Sequence, residues 1–581
     1  MSEITGKALD LDLLSRILKY VKPYKRRFFF TFLLTITLAI ISPLRPLLIQ
    51  FTFDNYIVKP DPKGLLLMTL LIVGVLFLEA INYYFYTYSA NWLGQTVIKD
   101  LRNELYSHVN SLKLKYFDNT AIGTLVTRVV SDIETIADIF SNGILIILGD
   151  ILKLVAIVTV MLVVDWRLAL ISLSTIPVLL VATYIFKNGI RSSFQDVRTQ
   201  VSRLNAFLQE HITGMHIVQV FNREKQEMES FNRINAQHRD AHIRSIWYYS
   251  IFLPTVELLS ATSLGLIVWW GSKEVLTTDV TIGHLIAYIL YIHMLFRPIR
   301  ELADKFNTLQ MGMVSSERVF KVLDTKENIE DNGTFESPEL RGDIEFKNVW
   351  LAYKNEDFVL KDVSFKVCKG ETLALVGATG SGKTSIINLL SRFYEFNKGE
   401  ILVDGTEIRS YDRTFLRRNI AVVLQDVFLF SDSIYKNITL GNEDISRETV
   451  IQAAKEFGAH AFISNLPDQY GYNVMERGAM LSVGQRQLIS FIRAYVHNPS
   501  ILVLDEATSS IDTESEDIIQ KALEKLLEGR TSIVIAHRLA TIQNADHILV
   551  MDRGRIREMG SHQDLIEKEG HYRTLFELQF N

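Results

Sequence analysis

Cysteine is all but absent: Cys368 stands alone in 581 residues. One thiol cannot close an intrachain disulfide or complete a four-ligand zinc site, so neither kind of staple holds this fold. Positive charge is not in surplus either. The 61 Lys and Arg against 66 Asp and Glu leave a formal net charge of -5, and without a basic face nucleic acid is excluded as a partner. Residues 1–11 are polar and acidic and lack the short apolar segment and small-residue cleavage site of a secretory signal. Membrane insertion, if any, is expected from internal segments. The length itself exceeds what one hydrophobic core fills, so two or more units are expected.

Apolar residues make up 48% of the chain, an ordinary share. Mean hydropathy is nevertheless +0.15 with 22% charged residues, so greasy and charged residues occupy different stretches. Six apolar runs fall in the first 300 residues, at 28–50, 65–88, 142–164, 167–187, 246–271 and 282–296. Each approaches the roughly 20 helical residues that cross a hydrocarbon core. Lys19, Lys22, Lys25, Arg26 and Arg27 cluster just before the first run, which places that end and the N-terminus in the cytoplasm. The connections 89–140 and 188–245 are long, charged and free of proline. They read as helical hairpins reaching into the cytosol, with Phe117, Gly123 and Leu125 near one turn and Glu210, Gly214 and Phe221 near the other. Arg45, Glu79, Asn82, Asp150, Lys153, Glu257 and His293 lie inside predicted spans. Charge in lipid is costly, so each is expected to face a partner helix or a wet cavity, with structural pairing and substrate contact both open. Pro43, Pro46 and Pro254 predict kinks, because proline removes a backbone donor and crowds the preceding turn.

After about Leu323 the apolar runs stop, and residues 324–341 (DTKENIEDNGTFESPELR) read as a polar linker. Beyond it, short Val/Ile/Leu runs alternate with helical patterns, as expected of a parallel sheet covered by helices. A predicted strand at 372–376 leads into Gly377-Ala378-Thr379-Gly380-Ser381-Gly382-Lys383-Thr384, followed by a helical run beginning at Ser385. This is a phosphate loop in its proper strand, loop and helix setting. Its glycines let backbone N–H groups close on phosphate oxygens and the helix N-terminus adds positive potential. Lys383 reaches the β- and γ-phosphates, and the Thr384 hydroxyl ligates Mg²⁺. A second apolar strand, 501–504, ends in Asp505 and Glu506. One carboxylate can hold Mg²⁺ through water while its neighbour polarises the attacking water.

Between and after these motifs come Gln425 at the end of a strand, Leu481-Ser482-Val483-Gly484-Gln485 opening a predicted helix, Ser509-Ser510-Ile511-Asp512, and His537 at the end of another strand. In order and spacing they resemble the Q-loop, signature, D-loop and H-loop of ATP-binding cassette (ABC) transporters. With six spans ahead of the cassette, the chain resembles an ABC exporter half-transporter over roughly residues 10–578. The fold this implies is an α-helical six-span transmembrane bundle with long cytosolic hairpins, joined to an α/β P-loop ATPase. Residues 1–323 would form the transmembrane domain with an N-terminal elbow helix and coupling loops, 324–341 the linker and 342–581 the nucleotide-binding domain.

Carried over position by position, the resemblance implies that Tyr353 stacks on adenine and that residues 377–385 hold the phosphates. Thr384, Gln425 and Asp505 would hold the Mg²⁺ that accompanies ATP. Glu506, His537 and Gln425 would act on the attacking water and γ-phosphate, while Ser482, Val483, Gly484, Gln485 and Asp512 would complete the ATP site of another subunit. The implied partner is a second half-transporter, in the cell's plasma or inner membrane, with the ATPase domain cytoplasmic. The implied cargo is a hydrophobic or amphipathic molecule such as a drug or lipid. Two departures stand out. Met475 replaces the inner glycine of the exporters' TEVGERG segment, here Tyr472 to Gly478 (YNVMERG), which puts the local backbone in question. The signature reads LSVGQ instead of LSGGQ, and a branched Val483 restricts a turn and adds bulk where phosphate approaches. Both a homodimer with two working sites and a heterodimer with one degenerate site follow from that change. An ATP-gated channel and a cytosolic cassette ATPase are the rival classes; the first lacks a regulatory insertion, the second is at odds with six spans.

Overall fold

The computed structural model describes residues 11–139, 143–277, 280–326, 333–505, 513–536 and 539–580. It divides into two compact units, one of Met1–Asn110 and Ala121–Lys326, the other of Ser111–Thr120 and Glu327–Asn581.

The first unit is helical. Among the described residues six helices are long and apolar enough to cross a membrane: Lys22–Ile57, Pro62–Ser111, Ile146–Val164, Trp166–Thr213, Glu224–Leu276 and Ile282–Ile299. Five of them contain whole an apolar run read from the sequence, and Ile146–Val164 covers all but the first four residues of the run read as 142–164. Three of them run on far beyond the thickness of a bilayer, the longest continuous helix being Glu224–Thr277. The proline-free connections are thus extensions of the spans themselves, as hairpins require. Gly214 caps one such extension, its N–H donating to the Glu210 carbonyl at 2.8 Å.

Of the prolines, Pro43 interrupts its span: one helix ends at Ile41 and the next begins at Leu44. The Pro43 carbonyl at the break accepts the hydroxyl of buried Tyr291 at 2.7 Å, which satisfies a polar backbone group that lipid could not. Pro46 lies within the helix Leu44–Thr52. The helix at Pro254 continues unbroken through it. At the hairpin base Asp132, 5% exposed, is held by Arg128, by the Ser315 hydroxyl at 3.1 Å and by Arg318 at 3.7 Å. A buried carboxylate needs such partners.

The second unit is α/β. Its strands are β1 (Ile344–Ala352), β2 (Phe358–Val367), β3 (Thr372–Val376), β4 (Lys398–Val403), β5 (Thr406–Glu407), β6 (Ile420–Val423), β7 (Ile501–Asp505), β8 (Thr531–Ile535), β9 (His547–Asp552) and β10 (Arg555–Gly560). Four form an antiparallel sheet in the order β2-β1-β4-β5, and six form a second sheet in the order β10-β9-β3-β8-β7-β6. Strands β3, β8, β7 and β6 of the latter are parallel to one another. Those strands are continuous apolar runs because helices cover both faces; β8 is buried along its whole length. The polar stretch before β1 does not float free of this unit from residue 333 onward. The Phe335 N–H donates to the Ser410 carbonyl and the Phe335 carbonyl accepts the Asp412 N–H, each at 3.0 Å, and Leu340 is 3% exposed in the core. Gly333 makes that docking possible, since a Cβ there would lie 2.1 Å from the Tyr411 carbonyl oxygen. Gly333→Ala is expected to lower the unit's melting temperature by several degrees in calorimetry of the full chain, the signature of about 1–3 kcal/mol of steric strain.

Candidate nucleotide site

Parallel pairing sets the site's frame. Leu375 of β3 pairs with Ile535 of β8, Ile535 with Asp505 of β7, and Leu504 with Val423 of β6. The carboxyl ends of four strands therefore finish on one edge, the place where open α/β sheets bind ligands. The loop after β3, Asp505, and the residues following β6 and β8 all emerge there. Glu506, Asp512 and His537 lie outside the described residues.

From β3 the chain enters the phosphate loop and then the helix Lys383–Leu390. Gly382, at the N-cap, holds φ = +107° and would drive a Cβ to 2.7 Å from Leu360. Gly377 passes so close to β9 that a Cβ would meet the Met551 carbonyl at 2.3 Å. Both positions need a residue without a side chain. The helix carries no acidic residue in its first turn, so the positive end of its dipole is not cancelled locally. Lys383 is 8% exposed and donates to the carbonyls of Gly377 at 2.7 Å and Ala378 at 3.1 Å. Burial holds its ammonium below the ordinary lysine range, with the charge of Asp505 pulling the other way. Ser381 is 4% exposed, and its hydroxyl has no hydrogen-bond partner among the described residues. A buried, unsatisfied hydroxyl beside a lysine and an uncancelled helix N-terminus fits a phosphate group that would complete their bonding. Thr384 and Gln425 are exposed at this edge and Asp505 is half-buried.

Tyr353 follows β1. Its hydroxyl donates to Ser385 at 3.0 Å and accepts from Asn388 at 3.2 Å, both on the phosphate-loop helix, while its ring meets Tyr394 edge to face at 4.7 Å. The tyrosine is thus pinned to the helix that follows the loop, a link that sequence reasoning missed. A cleft of about 200 Å³ beside it is bordered by Tyr394, Arg392, Phe393 and Asn397. The segment Ser111–Thr120 belongs to this unit, and the Tyr394 hydroxyl hydrogen-bonds Asp118 within it.

The signature opens the helix Val483–Val496. Ser482 is its N-cap and forms a reciprocal capping box with Gln485, at 3.2 and 3.0 Å. Val483 is the first helical residue, 44% exposed, and is not among the residues with positive φ. Its branch therefore imposes no turn strain, contrary to the expectation from sequence. What remains of the LSVGQ departure is bulk alone. Arg486 folds back to the carbonyls of Leu481 at 2.8 Å and Gly478 at 3.4 Å. One turn pair further on, Arg493 reaches the carbonyls of Asn437 at 2.8 Å and Phe428 at 3.3 Å. Arg493 thus ties the signature helix to the segment after Gln425, and Arg486 ties it to the turn just before it. Their spacing of seven on one helix face was the available signal.

Met475 has φ = +59° and ψ = -173°, a region populated almost only by glycine. The doubt raised by its place in the YNVMERG segment thus has a physical basis. Its side chain is 52% exposed and contributes little packing.

A membrane-spanning helical unit joined to a P-loop ATPase unit defines the class: an ATP-powered membrane protein. The profile for the ABC transporter transmembrane region matches residues 28–299, and the ABC transporter profile matches residues 360–509. The chain is similar to an uncharacterized ABC transporter ATP-binding protein, YknV, of Bacillus subtilis, 37% identical over 100% of this chain and 96% of that one. It is also similar to a putative multidrug export ATP-binding/permease protein, YgaD, of the same organism, 36% identical over 98% and 100% of the two chains. An ATP-dependent lipid A-core flippase of Syntrophus aciditrophicus is 34% identical over 98% and 95%. The chain belongs to the ABC transporters, with the transmembrane region and the ATPase fused as in an exporter half-transporter. It is a multi-pass membrane protein that binds ATP and couples ATP hydrolysis to transport.

Two substitutions test the local readings. Met475→Gly is expected to relieve about 1–3 kcal/mol of backbone strain against about 0.5–1 kcal/mol of added chain entropy, raising the melting temperature by about 2–4 °C; an unchanged or lower value contradicts the assignment of strain. Val483→Gly is expected to change ATP turnover by less than about threefold, or 0.7 kcal/mol. A gain above tenfold would show that the valine obstructs phosphate.

Proposed function

We propose that this chain exports or flips a hydrophobic or amphipathic substrate, a drug or a lipid, by alternating access, as a dimer with a second half-transporter. In this reading the membrane is the cell's plasma or inner membrane, with the N-terminus and the ATPase unit in the cytoplasm. Support for the class of cargo comes from the multidrug export and lipid A-core flippase names of similar chains. The observation that carries the reading is the pair of helix N-termini, at Gly382 and Ser482, neither with an acidic residue in its first turn. Each suits phosphate. ATP is held by Lys383, Ser381 and the loop amides of one cassette and closed upon by Ser482, Val483 and Gly484 of the other.

Tyr353 borders the adenine, Glu506 polarises the attacking water, and His537 contacts the γ-phosphate, with Asp512 at the seam. Thr384, Gln425 and Asp505 would hold Mg²⁺, which supplies neutralising charge on the phosphates when bound. Closure of the seam is felt by the spans through the hairpin turns. The turn of the second hairpin supports a partner surface: Ile212, Ile217, Val220 and Phe221 are 58–67% exposed in the single chain. The driving free energy is the difference in nucleotide affinity between open and closed dimers.

Two identical chains are the first reading, because Val483 keeps a helical N–H and an outward side chain. Pairing with a related half-transporter is the second, favoured by the bulk that Val483 adds. Glu506→Gln is expected to abolish turnover by at least 10²-fold while the protein retains ATP in a closed dimer, measured as nucleotide that survives rapid desalting. Continued rapid turnover by that variant with no wild-type partner present would refute the assignment.

A further inference from the structure

The second hairpin carries a histidine whose two ring nitrogens both face acceptors. His211 stands in the last turn of the helix Ile176–Thr213, which Gly214 and the short helix Met215–Val220 separate from the returning helix that begins at Glu224. Its Nδ1 lies 2.8 Å from the Phe207 carbonyl oxygen, and its Nε2 lies 2.9 Å from Oε2 of Glu227 on the returning helix. The other carboxylate oxygen of Glu227 accepts from Arg223 Nε at 2.9 Å. The imidazole also stacks on Phe207, with centroids 3.8 Å apart and 17° between the planes, and Phe207 meets Phe231 across the hairpin at 6.2 Å. None of this belongs to the nucleotide site.

A neutral imidazole carries one N–H and one bare lone pair. Its single N–H could serve the Phe207 carbonyl or the Glu227 carboxylate, and the other nitrogen would then press its lone pair against an oxygen. Only the imidazolium donates to both. A proton on Glu227 instead is disfavoured, because that carboxylate also holds Arg223. The face of Phe207 favours a positive ring as well. Of the other charged groups, Glu210 on the same helix adds negative charge, and His216, the one titratable residue of Met215–Val220, is exposed.

Desolvation weakens the ring's hold on its second proton, but the Phe207 carbonyl and Glu227 outweigh it, so His211 titrates above the ordinary histidine range. A proton held more tightly in the closed turn than in an open one stabilises the closed turn below the ordinary histidine range. That contribution is lost as pH rises through the raised value. We propose that His211, as an imidazolium bridging Phe207 and Glu227, fastens the two arms of the second hairpin and makes its turn a pH-sensitive element, closed in acid and looser in mild alkali. The turn carries Ile217, Val220 and Phe221, which are exposed in the single chain, so the charge on one ring sets how firmly that apolar surface is held. The fastening requires neither nucleotide nor cargo and stands apart from the export reading.

The test is hydrogen–deuterium exchange of the full chain in phosphatidylcholine nanodiscs, with labelling times scaled to the intrinsic exchange rate at each pH. The reporters are peptides containing the amides of Gly214, Val218, Phe221 and Arg223, each of which donates to a carbonyl within or beside the turn. Between about pH 6 and about pH 9, wild-type protection is expected to fall at least about fivefold. His211→Gln, which cannot charge, is expected to show low protection, and His211→Lys, which stays charged, high protection, each varying less than about twofold over that range. Glu227→Gln removes the anion while keeping its shape and is expected to flatten the profile too. A flat wild-type profile overturns the proposal without recourse to any variant. An undiminished fall in His211→Gln or in His211→Lys also overturns it, because another group would then be titrating; the lysine variant decides the matter if the glutamine variant fails to fold. An undiminished fall in Glu227→Gln overturns the bridge across the hairpin.

Discussion

The chemistry of the ATPase unit depends on one constraint, the parallel register of β3, β8, β7 and β6. Because Leu375 pairs with Ile535, Ile535 with Asp505 and Leu504 with Val423, the four strands end within about one residue of one another and residues far apart in the chain leave the sheet along one edge. A slip of one residue in any pair would exchange the side chains of a strand's two faces, each of which is packed against its own set of neighbours. Burial therefore enforces the register, and the register places Lys383, Asp505 and the residues after β6 and β8 together. Lys383 is seated on its own loop's carbonyls with Asp505 in electrostatic range, and in the proposed function it exchanges those two contacts for a phosphate.

Much of this was legible before any coordinates. A phosphate loop needs glycine for reasons of backbone space, and those reasons apply in any chain; Gly377 and Gly382 are where the residue pattern and the geometry coincide. The six spans were legible because a bilayer demands some twenty apolar residues at a stretch, a signal too long to arise from packing alone. The hairpins were legible from the lack of proline. Less legible were interactions that depend on tertiary approach. Nothing in the sequence ties the Tyr353 hydroxyl to Ser385 and Asn388, or Arg486 and Arg493 to the carbonyls they hold. Proline alone did not distinguish Pro43, where the helix breaks and Tyr291 covers the carbonyl, from Pro254, where it runs on. The strain expected at Val483 belongs to Met475, because a helix's first residue takes ordinary backbone angles whereas the turn before Gly478 does not.

The two units answer different solvents with the same rule that buried polar groups find partners. In the ATPase unit Asn437 and Arg493 satisfy backbone carbonyls of the segment 428–437, and Arg486 those just before the signature helix. In the membrane unit Asp132, Asp150 and Glu79 are held by basic residues. Ser381 is one of the buried polar side chains without a hydrogen-bond partner among the described residues, and it lies where the ATPase unit is proposed to meet a nucleotide.

The central claim is that each ATP is gripped by two chains, and its most direct test is complementation between inactive ones. Full-length chains carrying Lys383→Ala are co-assembled with chains carrying Ser482→Arg, and nucleotide trapping is measured in the purified mixed dimers. Shared sites predict that this pair keeps one working site, while a chain bearing both substitutions silences a wild-type partner completely. The reverse pattern, trapping by the second pair and none by the first, would place the whole site within one chain and contradict the account.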